Sequence, residues 1–128
     1  MHFTDDLFSV TGENVEATSG NFTLRLNASH SIYRGHFPDN PITPGVCSLE
    51  IFIELMEVNF PWCGQLAEVE TIKFLNFISP LATSEITVDL QILEISSGIW
   101  RVRGMLCADK KPAVKVVMRY GLNTSQTL

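Results

Sequence analysis

Apolar and polar positions along this chain change period twice, and each change marks a new element. Between Asn21 and Leu26, Phe22, Leu24 and Leu26 alternate with Thr23 and Arg25, the period-2 pattern of a half-buried strand. From Val46 to Phe60 there is no Gly or Pro, and apolar residues occupy most of a helical wheel. Val46, Leu49, Ile53, Met56 and Phe60 form one stripe, while Ile51, Phe52, Leu55 and Val58 cover much of the remainder. A helix apolar on most sides is a buried one, and Pro61 ends it. Its single polar ridge is Glu50, Glu54 and Glu57, at i, i+4 and i+7. Strand patterns then return. Gln65 to Phe77 carries Val69, Ile72, Phe74 and Phe77, and Glu85 to Ile92 alternates strictly. Ser96-Ser97-Gly98 is a turn, Ile99 to Ala108 a strand, Asp109-Lys110-Lys111-Pro112 a second turn, and Ala113 to Tyr120 the last strand. The order is one strand, one buried helix, then four strands joined mainly by hairpins. It predicts an α+β fold in which an antiparallel sheet wraps around a long helix that covers its concave face.

Size and charge narrow the partners. The 128 residues predict one domain over 1–128, with fraying confined to the polar tail at about 122–128. A net charge of −5 and the lack of a basic stripe interleaved with aromatics argue against nucleic acid. No apolar run reaches the length of a membrane span. The start, Met1-His2-Phe3-Thr4-Asp5-Asp6, is acidic and lacks the order of a signal peptide, so the expected location is the cytoplasm. Cys47, Cys63 and Cys107 are widely separated and have no metal-ligand spacing, which predicts neither disulfide nor zinc; Cys47 is expected to be a small buried hydrophobe. The Asn-x-Ser/Thr triplets at Asn21, Asn27 and Asn123 then carry no glycan.

Candidate chemistry concentrates in Gly35-His36-Phe37-Pro38-Asp39-Asn40-Pro41-Ile42-Thr43-Pro44-Gly45-Val46-Cys47-Ser48-Leu49-Glu50. Three prolines within seven residues stiffen the loop that holds His36. Gly45 follows Pro44 and opens the helix, so its N–H is an unsatisfied donor backed by the helix dipole. Burial raises the pKa of Glu50 while the dipole lowers it, and the sequence leaves that balance open. A base, an oxyanion donor and an acid suit proton abstraction beside a carbonyl. The same residues also fit a solvated acidic face with a loop histidine packed for stability. His30 is expected to cap or lie at the surface, and His2 to be disordered. Ser48 has neither a histidine at useful spacing nor a nucleophile-elbow pattern.

The stretch resembles the active-site motif of the β-hydroxyacyl-acyl carrier protein dehydratases, which have the hotdog fold. Their pattern is His-Phe-Pro-x-x-Pro-(apolar)-x-Pro-Gly-Val followed by an acid. His36, Phe37, Pro38, Pro41, Pro44, Gly45 and Val46 match it, and Glu50 stands fourteen residues after His36, at the place of the family's carboxylate. Ile72-Lys73-Phe74 through Ser79-Pro80-Leu81 resembles the strand and proline-containing bend that follow the helix. Three departures bear on substrate identity. Asp39-Asn40 stands at the loop crest, Glu54 replaces a common glutamine, and Ala82-Thr83-Ser84-Glu85 replaces a Pro-Gly-Asp turn.

The resemblance implies reversible dehydration of a 3-hydroxyacyl thioester to the trans-2-enoyl thioester, in fatty acid synthesis or a specialised lipid or polyene pathway. His36 would take the α-proton, Glu50 protonate the departing hydroxyl, and the Gly45 N–H hold the thioester oxygen. Phe37, Pro44, Val46 and Phe74 would contact the substrate. No cofactor or metal is implied. The implied partners are a carrier protein bearing the acyl chain on phosphopantetheine and a second copy of the chain, the homodimer pairing His36 of one copy with Glu50 of the other. Arg34 is the candidate contact for an acidic carrier, while Lys110 and Lys111 read as a solvated turn. The rival readings are a hotdog acyl thioesterase and a non-catalytic acyl-binding subunit.

Overall fold

The computed structural model describes residues 2–34, 41–83 and 85–121. His36, Phe37 and the Asp39-Asn40 crest lie outside the described residues, as does the tail from 122 onward. Six strands form one sheet: β1 (Phe8–Val15), β2 (Ser19–Leu26), β3 (Gln65–Phe74), β4 (Ile86–Ser96), β5 (Ile99–Ala108) and β6 (Lys111–Gly121). Their spatial order is β1-β2-β4-β5-β6-β3 and every pairing is antiparallel. One helix, α1 (Gly45–Asn59), lies between β2 and β3 in sequence and fills the concave side. This is the hotdog arrangement.

Each boundary has a local cause. Pro44 is the N-cap of α1, with extended backbone (φ −60°, ψ 145°). At the far end Pro61 opens a short 3-10 turn, Pro61–Cys63, so the helix stops at Phe60. The β5–β6 hairpin turns on Asp109 and Lys110, both at positive φ (49° and 70°), as a two-residue loop matching strand twist requires. Gly98 (φ 73°) does the same between β4 and β5.

The core is where helix meets sheet. Phe52 is fully buried over Gly104 of β5, where an added Cβ would lie 2.8 Å from both the Phe52 ring and Val116. A bare backbone there lets the aromatic ring reach the strand. Cys47 is fully buried among these side chains, the small-hydrophobe role expected of it.

Four expectations need correction. The sheet has six strands, because β1 precedes the strand predicted at Asn21 to Leu26. It is an edge strand with a bulge between Val10 and Gly12, and only Phe8 of it is buried, so it lacks a clean alternation. β3 ends at Phe74, since the Leu75 and Asn76 N–H groups both turn to the Ala113 carbonyl; Phe77 is 83% exposed. The buried face of α1 is also rotated from the predicted stripe. Cys47, Ile51, Phe52, Leu55 and Met56 face the sheet, whereas Val46 is 57% exposed. Finally, Glu54 leaves the polar ridge and is buried. No helix among the described residues is long and apolar enough to cross a membrane.

Candidate active site

The N-terminus of α1 is built by the segment that leads into it. Thr43 is buried, its N–H donates to the Ile78 carbonyl (2.8 Å), and its hydroxyl pairs with Tyr33 Oη at 2.9 Å. Those bonds anchor the chain just before Pro44. The Cys47 and Ser48 N–H groups then fold back on the Pro44 carbonyl, at 3.0 and 3.3 Å. Among the described residues the Gly45 N–H has no backbone acceptor outside the helix, so it is one of the free donors of a helix start.

Beside that donor lies an open groove of about 340 Å³, lined mainly by apolar atoms. Pro44, Gly45 and Ser48 form one wall, and Phe74, Phe77 and Ile78 the other. The two walls approach each other at Gly45. A Cβ there would stand 2.8 Å from the Phe74 ring. Three of the expected site residues, Pro44, Gly45 and Phe74, therefore meet. Val46, in the same turn, is largely exposed. Arg34 is exposed at the end of a short 3-10 turn (Ser31–Tyr33), directly before the undescribed loop.

Glu50 is not part of that groove. It is half-buried farther along α1, one helical turn before Glu54. Burial, then the neighbouring Glu54 carboxylate, raise its pKa above the ordinary glutamate value. Glu54 behaves oppositely. Burial pushes its pKa up, but bonds from the Thr4 hydroxyl and the Phe3 and Thr4 backbone outweigh it and hold the carboxyl below its usual value. The Phe3 N–H reaches both carboxylate oxygens (2.9 and 2.8 Å), the Thr4 N–H one of them (2.8 Å), and the Thr4 hydroxyl the same one (2.7 Å). His2, expected to be disordered, has its Nδ1 3.4 Å from Glu54 Oε1.

Sequence reasoning passed over two features here. Ser48, set aside as a nucleophile, is buried and lines the groove. Glu54 is the second acid expected beside Glu50, but its burial was missed because i+4 spacing places it on the Glu50 ridge. Its position three residues after Ile51 and two before Met56 was the available sign of burial. His30 takes the capping role expected. Its Nδ1 accepts the Ile32 N–H (3.0 Å), and its Nε2 lies 3.0 Å from Asp6 Oδ2.

Comparison with known proteins places this geometry. The 3-hydroxyacyl-[acyl-carrier-protein] dehydratase FabZ of Ruminiclostridium cellulolyticum is 27% identical over 104 residues, covering 76% of this chain and 72% of that protein. Among solved structures, the dehydratase heterocomplex ApeI:P from Xenorhabdus doucetiae matches with a TM-score of 0.71 at 17% identity, over 88% of this chain and 96% of that one. Zebra fish thioesterase superfamily member 2 shares the fold as well, with a TM-score of 0.65 at 13% identity over 92% and 83% of the two chains. The fold alone thus spans dehydratases and thioesterases, but the ApeI-like family model, described as ApeI dehydratase, matches residues 12–109, from β1 to the β5–β6 turn. The chain belongs to the ApeI-like dehydratase family.

Proposed function

We propose that the protein dehydrates a 3-hydroxyacyl thioester, carried on the phosphopantetheine arm of an acyl carrier protein, to the trans-2-enoyl thioester. The observation that carries this reading is the match to the ApeI dehydratase family over residues 12–109, with Gly45 opening the helix beside an apolar groove and Glu50 half-buried on that helix. Burial and Glu54 raise the Glu50 pKa, the direction an acid needs. A general acid must still hold its proton near neutral pH. His36 takes the α-proton, the Cα–H electrons form the double bond, and the Cβ–O bond breaks as Glu50 protonates the hydroxyl, releasing water. The imidazolium and the Glu50 carboxylate then exchange a proton through solvent to reset. The Gly45 N–H stabilises the enolate-like thioester oxygen, an effect of about 3 kcal/mol for one well-placed donor. The acyl thioester lies in the groove between Pro44 and Phe74, with Phe37 and Val46 as further proposed substrate contacts. Every step is a proton transfer, so the chemistry calls for no cofactor.

The separation of Glu50 from its own Gly45 groove supports a site shared between two chains. In that homodimer, His36 of one copy works with Glu50 of the other. The heterocomplex of the Xenorhabdus dehydratase supplies the alternative, a different chain in place of the second copy. Arg34, exposed beside the loop, is the proposed contact for the acidic carrier protein.

The test is hydration of an enoyl thioester, followed by the loss of its absorbance. His36→Ala and Glu50→Gln should each lose at least about 10²-fold in kcat with the fold retained. Near wild-type turnover by either variant would overturn the assignment. Arg34→Glu should slow the reaction of carrier-bound substrate yet spare a pantetheine thioester. Equal loss on both would assign Arg34 to loop support instead.

A further inference from the structure

Glu54 is the one buried charged side chain among the described residues, 2% exposed. A carboxylate so placed neutralises itself unless donors surround it. Here the donors come from the first turn of the chain, the amides of Phe3 and Thr4 and the Thr4 hydroxyl, all within 2.9 Å. An ionised carboxylate is acceptor-only, and this set of donors matches that form. One helical turn earlier, at i and i+4 on the same helix, stands Glu50, which among the described residues receives no N–H donor. Two carboxyls that share a site do not both ionise readily, so the one without donors keeps the proton.

We propose that Glu54 is a positioning residue for the acid: fixed as an anion by the N-terminal segment, it accepts a hydrogen bond from the Glu50 carboxyl and keeps the proton there until the substrate hydroxyl takes it. This deepens the dehydratase reading of Glu50 and rests on it. The opposite pKa directions of the two carboxyls agree with the geometry. Other titratable groups face the pair from several elements. Cys47 and Glu57 lie on α1, and Glu57 adds to the rise at Glu50. His2 approaches from the N-terminal segment. The buried Tyr120 hydroxyl approaches from β6, with Cys63 behind it. The backbone clasp belongs to Glu54 alone.

The experiment is a carboxyl titration by NMR on the whole chain labelled with ¹³C-glutamate, without substrate; Glu50→Gln assigns the Glu50 signal. The expected result is that Glu50 titrates at higher pH than Glu54. In Glu54→Gln, the Glu50 midpoint should fall, and the alkaline limb of kcat should move to lower pH with KM little changed. Glu54 titrating at the higher pH in the wild type, or a Glu50 midpoint unmoved in Glu54→Gln, would overturn the proposal. The wild-type order decides the matter even if Glu54→Gln fails to fold. Turnover is a separate readout. A wild-type chain that dehydrates no 3-hydroxyacyl thioester overturns the enzymatic reading, while the titration order still tests Glu54.

Discussion

Gly45 illustrates how a single hydrogen in place of a methyl shapes the groove. Gly45→Ala keeps the backbone N–H, so the oxyanion donor survives. The new Cβ would press into the Phe74 ring, which is 57% exposed and free to swing aside. Stability should therefore change by under about 1 kcal/mol, while the displaced ring costs about 10- to 100-fold in kcat/KM. Adding Phe74→Ala should recover much of that loss; denaturant melts and steady-state kinetics on the three variants check both statements. The site was partly legible at this scale. Pro44 and Gly45 open α1 where the sequence placed the helix start, because proline and glycine fix it by backbone rules that need no tertiary context, whereas Phe74 reaches them only through the fold. Glu54 was not legible. Its acceptor role depends on Phe3 and Thr4, distant in sequence, and a buried acid has the same i+4 spacing as a solvated one.

At the scale of elements, α1 and β4 through β6 were readable because each packs one face densely and the hairpin turns carry their own chemistry. β1 was not, since an edge strand with a single buried residue leaves almost no periodic signal. The rotation of α1 has a related cause. Apolar residues cover so much of its wheel that the pattern predicts burial without saying which side meets the sheet. Contact with Gly104 and Val116 selects Phe52, fully buried, as the central side chain. Phe52→Ala should accordingly destabilise the fold by about 3–5 kcal/mol, read from chemical denaturation. Val58→Ala, on the exposed side of the same helix (68% exposed), should stay within about 0.5 kcal/mol. Similar losses at the two positions would contradict the observed orientation.

At the scale of the whole molecule, the sheet ends on β1 at one side and β3 at the other. An outer strand with no neighbour invites another chain. Near the end of β3, Phe74, Leu75, Phe77 and Leu81 are all substantially exposed, an apolar surface beside the groove. The proposed two-chain site makes a specific demand here. Inactive His36→Ala and inactive Glu50→Gln chains, refolded together, should regain activity, because one site of each mixed pair holds both intact residues. Proven mixed dimers with no recovery would mean that each copy supplies its own His36 and Glu50.

The clasp on Glu54 also has a consequence in time. Phe3 and Thr4 find their acceptor 51 and 50 positions later in the chain, and β2, already flanked by β1, meets its second neighbour only when β4 is in place. Contacts so distant along the chain close late in folding. Until they close, Glu50 and Glu54 are two equivalent, solvated carboxyls. The difference between acid and anion is therefore not encoded in either residue; it is created when the N-terminal segment meets α1.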